Sequence, residues 1–461
     1  MSKQPGFPLI LGASNLRSLE HERPLVFTRG EGVFIWDEHG RKYLEAASCF
    51  YCAALGLSEP EIALAASAQI RQLSFSISAG HRTTPPTIAL AERLAALAPF
   101  ANAHVAFANS GSEANDALIK FVRYANVASG QPTRRKVICR SGSYHGCTTV
   151  AASLGSSKSL RLAFGLSTDD IIDVSQPDYS RAPPGESEAA FVDRLGRELE
   201  EVIERAGPGS IAAFVAEPVS FSAGFVIPPS AYFPRVTEIL QRHGIRFFGD
   251  EIVTGFYRLG PRMGWEALGL QYQAFTLGKA LTAAFVPMGA VVLDEDLFEG
   301  LAAGSPQGLF GHVSTYAGHP VCAAVALRVL ELFEERRIAD HVATVSPAFK
   351  TSLERLGSHP LVRNVRCLGL GAGVYLQVPP ELPKSASAVL GSAVQAQALA
   401  NGLIVRVNAD VVIIAPPLII SLGEIADLVQ RLHAALDGAA ELLRRPEAVR
   451  WDPTVVHPNS V

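Results

Sequence analysis

Three charged residues stand where this sequence turns from strand to loop. Ile245–Phe248 reads as a short apolar strand running into Asp250, Ile211–Ala216 as a buried one ending in Glu217-Pro218, and Tyr272–Leu277 as one ending beside Lys279. Open α/β sheets bind ligands at the carboxyl ends of their strands, so carboxylates and an amine delivered there by separate strands point to one shared site. Each charge alone reads as an ordinary solvated side chain. A fourth stretch joins them: Val105–Ala108 runs through Asn109-Ser110-Gly111-Ser112-Glu113 into the helical residues Ala117–Val122. A small-residue turn opening a helix presents free backbone N–H groups and the positive end of the helix dipole, with the Ser112 hydroxyl beside them, and this suits a phosphate. Ser112 reads equally well as the cap of that helix. After Val137–Arg140 comes Ser143-Tyr144-His145-Gly146-Cys147, where Tyr144 either closes a core or offers a flat face to a flat ligand. His145 belongs to no metal-binding spacing among the 12 histidines, and no metal site is expected.

The elements that must position these residues alternate. Strand and helix follow one another as far as Lys279, with Phe191–Ala206 and Ser230–Gly244 as clear helices, which predicts an α/β fold with a mostly parallel sheet flanked by helices. Val286–Leu293 then turns back as a strand, and Ser314–Pro320 opens a long helix, Val321–Glu335. Gly32–Leu44 reads as a hairpin, and Glu61–Leu73 and Thr87–Leu97 have helical spacing. The expected division is a large domain over 76–337 and a smaller α+β domain built from 338–461 together with an N-terminal segment, 1–75. Gly369-Leu370-Gly371-Ala372-Gly373 is a weak match to a dinucleotide loop, because a strand and not a helix follows it.

Composition sets the outer limits. A chain of 461 residues, 48% apolar and 18% charged, can build a large core. Its net charge of −4 comes with no basic stripe, which argues against a nucleic-acid partner. The most apolar run, Val411–Ile420, is broken by Pro416-Pro417 and falls short of the ~18 residues of a membrane span, and the start of the chain has no signal-peptide pattern. A soluble cytoplasmic protein is expected. Cys49 and Cys52 form a C-x-x-C without a second pair, which reads as two small residues lining a buried segment.

Taken in order, Ser110-Gly111-Ser112-Glu113-Ala114-Asn115, Tyr144-His145-Gly146, Glu217-Pro218, Asp250-Glu251-Ile252, Lys279 and Ser314-Thr315-Tyr316-Ala317-Gly318-His319-Pro320 closely resemble the class III pyridoxal phosphate aminotransferases. Within them the chain is most similar to the amine:pyruvate (ω-transaminase) branch, from about Glu31 to Ile420. A lysine amine can hold the cofactor aldehyde covalently, yield it to a substrate amine and then carry a proton, while a carboxylate keeps the ring nitrogen protonated. The resemblance gives these roles to Lys279 and Asp250. It also implies that Tyr144 stacks on one ring face and Ile252 packs on the other, that Gly111 and Ser112 hold the phosphate, and that His145 and Glu217 complete the surroundings. Thr315 would reach the phosphate of a partner subunit, which implies a homodimer with shared active sites. Phe50 and Tyr51 either belong to a core or wall a substrate pocket. Arg406 resembles the mobile arginine that pairs with an α-carboxylate. The implied reaction moves an amino group from an amine or amino-acid donor to a 2-oxo acid, pyruvate being expected, by a ping-pong mechanism.

Departures from the pattern narrow this. Relatives acting on ornithine or γ-aminobutyrate carry Arg where Cys147 stands and a gating Glu where Ser222 stands, so a donor with a distal carboxylate loses its charge-assisted partner here. Ser220-Phe221 replaces the usual Gln-Gly, Gly278 the usual Ala and Tyr257 the usual Gly. An aminomutase or racemase of the same family, and a protein that retains the cofactor without turnover, are the competing readings. Net transfer of an amino group to added pyruvate separates them.

Overall fold

The computed structural model describes residues 8–17, 23–155, 157–304 and 309–445. The chain divides into two compact units, Pro60–Ala339 and, from its two ends, Met1–Glu59 with Asp340–Val461. The smaller unit begins with strands β1 (Phe27–Glu31), β2 (Phe34–Asp37) and β3 (Lys42–Glu45), paired antiparallel in sequence. Asp37 sets the β2–β3 turn, its Oδ1 accepting from the N–H groups of His39 and Arg41, each at 2.9 Å. This is the hairpin expected around Gly40.

The larger unit holds a seven-stranded sheet: β4 (His104–Ala108), β5 (Lys136–Arg140), β6 (Ile171–Val174), β7 (Ile211–Ala216), β8 (Arg246–Asp250), β9 (Ala274–Leu277) and β10 (Gly289–Leu293). Their order is β4-β10-β9-β8-β7-β5-β6. β10 runs antiparallel to both of its neighbours, and the remaining pairs are parallel. Every residue of β7 is buried, as expected of a strand covered on both faces. Helix Gly111–Ala128 supplies Leu118, Phe121 and Val122 to a core shared with Val137, Val215, Phe248 and Val291 of the strands. Because β4, β5, β7, β8 and β9 point the same way, the residues that follow them come out on one edge of the sheet.

The chain then returns to the smaller unit with β11 (Val362–Leu368), β12 (Gly371–Leu376), β13 (Leu403–Ile404), β14 (Arg406–Asn408) and β15 (Val411–Ile414). β13 pairs parallel with β3, Leu403 opposite Leu44, which ties the N-terminal hairpin to the C-terminal part. The others form an antiparallel sheet in the order β11-β12-β15-β14. Helix Pro60–Leu73 falls in the larger unit and not with the N-terminal segment 1–75. It packs along helix Pro320–Glu335, and Arg328 of that helix pairs with Glu61. Among the described residues, no helix is long and apolar enough to cross a membrane.

Candidate active site

The centre of the site is Asp250, the last residue of β8 and 4% exposed. Its Oδ2 lies 2.7 Å from His145 Nδ1 and accepts from Asn115 Nδ2 at 2.9 Å, while Oδ1 accepts from the Ile252 N–H at 3.1 Å. Asn115 is itself held twice, donating to the His145 carbonyl at 2.6 Å and accepting from the Thr276 hydroxyl at 2.9 Å. Asp250 is therefore an aligned, buried carboxylate, and His145 Nε2 remains buried with no hydrogen-bond partner among the described residues.

Glu217 follows β7 and is also buried. The Ser220 hydroxyl donates to its Oε2 at 2.6 Å, and Arg140, at the end of β5 and fully buried, donates from Nη2 to its backbone carbonyl at 2.5 Å. Burial pushes the Glu217 carboxyl above the ordinary carboxylate range, with His145 and Arg140 opposing the shift. Ser220, a departure from the family pattern, thus supports Glu217. Tyr257, another, stands at φ 69° with its ring 5.7 Å from that of Phe333, so its packing offsets a conformation that glycine would adopt freely.

Lys279 lies two residues past β9 at φ 44°, half-buried, and its amine has no hydrogen-bond or ion-pair partner among the described residues. Gly278 beside it packs on Ile252 and Gly111: a Cβ added at Gly278 would meet Ile252 Cγ2 at 3.4 Å, and one at Gly111 would meet Ile252 Cδ1 at 2.6 Å. The phosphate-suited turn and the lysine are thus brought together around one isoleucine. The helix after that turn is capped by Ser110, whose Oγ accepts from the Glu113 N–H at 3.2 Å. Ser112 is left for another task, and its Oγ accepts from the Cys147 N–H at 3.0 Å. A side chain at Gly146 would strike that hydroxyl, so the 144–147 turn lies directly on Ser112. Tyr144 is 48% exposed and closes no core.

Thr315 is exposed, and His319, not Thr315, caps helix Pro320–Glu335, accepting from the Val321 N–H. Phe50, Tyr51 and Arg406 belong to the smaller unit, where the Arg406 guanidinium lies 4.6 Å from the centre of the Phe50 ring. Cys49 and Cys52 are half-buried thiols in no disulfide, not lining residues of a buried segment: Cys49 Sγ lies 3.7 Å from Glu45 Oε2, and burial beside that carboxylate pushes its thiol up to about 12. No cluster able to hold a metal occurs among the described residues.

Residues 17–436 match the family Aminotransferase class-III. The chain belongs to the class III aminotransferases. It is 38% identical to gamma-aminobutyrate transaminase 1, mitochondrial, of Oryza sativa subsp. indica over 91% of this chain and 82% of that one. It is likewise 38% identical to gamma aminobutyrate transaminase 3, chloroplastic, of Solanum lycopersicum, over 90% and 80% of the two chains. Among solved structures, the omega transaminase from Pseudomonas jessenii in complex with PMP superposes with a TM-score of 0.90 at 35% identity, covering 94% of this chain and 97% of that one.

Class III aminotransferases use pyridoxal phosphate, and the residues present fit it. A flat, phosphorylated ring bearing an aldehyde and a basic nitrogen matches a buried carboxylate, a lysine amine without a partner among the described residues, a helix N-terminus whose cap leaves Ser112 spare, and the close Gly111–Ile252–Gly278 packing. Asn115, Glu251, Arg140 and Thr276 stand in the recognised stretches and strands without a role that their sequence context reveals. Asn115 had one legible signal, a polar residue among the buried Ala114, Ala117 and Leu118 of its helix.

Glu251 carries a pH-dependent consequence for this aminotransferase. It is fully buried and accepts from Thr254 Oγ1 at 2.5 Å and from the N–H groups of Gly264 and Trp265 at 2.9 and 2.7 Å, so it anchors the helix Gly264–Leu268. Burial nevertheless dominates and raises its carboxyl from 4.5 to about 7. A carboxyl raised in the folded state gives stability that is complete below its unfolded value and is lost as pH rises through the folded one. The unfolding midpoint should therefore fall between about pH 4.5 and 7, the interval those two values span, and the fall should be smaller in Glu251→Gln. Parallel profiles for the two proteins would remove Glu251 as its source.

Proposed function

We propose that this transaminase moves an amino group from an amine or amino-acid donor to pyruvate. The observation that carries the reading is the Asp250–His145–Asn115 cluster assembled at the same sheet edge as the free amine of Lys279. Pyridoxal phosphate, when bound, supplies an aldehyde and an electron-withdrawing ring. Lys279 would hold that aldehyde, and its Nζ, once released by the donor, would be the base that takes the proton from the amine-bearing carbon of the donor. Asp250, oriented by His145, Asn115 and the Ile252 N–H, would face the ring nitrogen. Tyr144 and Ile252 would hold the ring between them, Gly111 and Ser112 would donate to the phosphate, and Glu217 lies within electrostatic reach of His145. Arg406 pairs with the substrate α-carboxylate, a planar guanidinium being suited to two parallel hydrogen bonds.

The relatives named for γ-aminobutyrate favour a second donor reading. Against it, position 147 offers an exposed thiol beside Ser112 and no guanidinium for a distal carboxylate. A panel holding a primary arylalkyl amine, an aliphatic amine and γ-aminobutyrate, each with pyruvate or 2-oxoglutarate, decides between them. Alanine formed faster from the plain amines is expected. A preference for γ-aminobutyrate would overturn the donor assignment, preference for 2-oxoglutarate the acceptor, and no transfer at all would favour an aminomutase, a racemase or a binding protein.

The reading includes a homodimer in which Thr315 serves the partner's cofactor phosphate. Thr315 leaves its own helix to His319, and Leu309, Val313 and Tyr316 around it are 74%, 62% and 62% exposed, apolar surface that a second copy would cover. Mixing Lys279→Ala chains with chains disabled at Thr315 should regain activity, because one site of each mixed dimer then carries neither lesion. Differently tagged chains that co-purify without activity would count against shared sites.

A further inference from the structure

Ser48, Cys49, Phe50 and Tyr51 all stand at positive φ, at 45°, 49°, 64° and 70°, and none is glycine. Left-handed backbone costs roughly 1–2 kcal/mol for each such residue and persists only where the surroundings impose it. They do so here. The Ser48 hydroxyl donates to the Ala415 carbonyl at 2.5 Å, the Ala415 N–H donates to the Ala46 carbonyl at 2.8 Å, and the Tyr51 N–H returns to the Ala47 carbonyl at 2.7 Å. This turn sends Tyr51 inward, 4% exposed, and Phe50 outward, 59% exposed. Core packing explains the first residue and leaves the second without a reason.

The reason lies in β14. Arg406 is its first residue, fixed opposite Ile413 of β15, and its guanidinium carbon sits 4.6 Å from the centre of the Phe50 ring. Arg406 Nε is buried without a hydrogen-bond partner, and no carboxylate pairs with this guanidinium among the described residues. The aromatic face is thus the partner the protein provides. A ring beneath a guanidinium attracts the cation without consuming its N–H groups, which stay available to a planar carboxylate.

We propose that Phe50 is a specificity-determining residue, its ring positioning Arg406 to receive the carboxylate of 2-oxo acid and amino-acid substrates. The proposal rests on the reading of Arg406 as the carboxylate partner. The strained turn Ser48–Tyr51 is then the device that keeps an aromatic ring at this point.

The test uses the holoenzyme and the ratio of the KM for pyruvate to that for an amine lacking a carboxylate. Phe50→Leu should raise the ratio about two- to five-fold, the range an exposed cation–π contact can supply. Phe50→Tyr and Phe50→Trp, which restore a ring, should return it toward the starting value. In an Arg406→Ala background Phe50→Leu should add nothing, since the ring acts only through the guanidinium. A ratio unmoved by Phe50→Leu, or the same rise with and without Arg406, overturns the role of Phe50 while leaving Arg406 standing. An Arg406→Ala protein with an unchanged ratio overturns both.

Discussion

Replacing Lys279 by alanine is expected to abolish turnover, lowering kcat by about three orders of magnitude or more, since one side chain is asked both to hold the aldehyde and to carry the proton. This amine has no hydrogen-bond or ion-pair partner among the described residues, and Asp250 has both oxygens engaged, by His145 and Asn115 on one side and the Ile252 N–H on the other. Left-handed backbone at Lys279 and the contact of Gly278 with Ile252 and Gly111 fix where the side chain leaves the strand. Borohydride treatment and peptide mapping should therefore find the cofactor on Lys279 in the wild type and on no lysine in the variant. A labelled peptide that does not contain Lys279, or turnover in Lys279→Ala within ten-fold of wild type, contradicts the assignment.

Much of this was legible because of one physical regularity. Parallel strands are buried on both faces and appear as short apolar runs, so the first charge after each run marks the sheet edge: Glu217 after β7, Asp250 at the end of β8 and Lys279 after β9. Turn and helix signals placed Gly111 and Ser112 in the same way. Pairings between distant segments carry no such local signature. Asn115 reaches Asp250 across 135 residues and Thr276 across 161, and neither contact follows from periodicity. The left-handed turn Ser48–Tyr51 was hidden for the opposite reason. Sequence marks positive φ by glycine or asparagine, and here four other residues are held there by Ala415 and their own backbone. Helix Pro60–Leu73 lies within the expected N-terminal segment 1–75, but its helical spacing shows only that it packs, and its partner, helix Pro320–Glu335, lies far along the chain.

Arg140, the last residue of β5, is where a large loss of stability is expected. It is fully buried, donates to the Glu217 carbonyl at 2.5 Å, lies 3.9 Å from the Glu217 carboxylate and has the Phe233 ring 5.8 Å from its guanidinium carbon. A methionine would fill much of the same volume, so the main effect of Arg140→Met is to leave the Glu217 carboxylate buried without its cation. Breaking a buried pair from one side costs about 3–5 kcal/mol, whereas replacing both members can be nearly neutral. Arg140→Met should thus lower the unfolding midpoint strongly, and Glu217→Gln in the same chain should recover most of the loss. The pH dependence follows from the sign of the shift. Burial already raises the Glu217 carboxyl and Arg140 opposes that rise, so without Arg140 the group is raised further and its neutral form is favoured in the folded state. Stability attached to such a group is present at acidic pH and lost as pH rises. The deficit of Arg140→Met relative to wild type should accordingly shrink at acidic pH and widen as pH rises, and it should become flat once Glu217 is an amide. A deficit independent of pH, or one that Glu217→Gln leaves unchanged, would mean that Arg140 acts through its packing on Phe233 and its bond to the Glu217 carbonyl, not through the charge of Glu217.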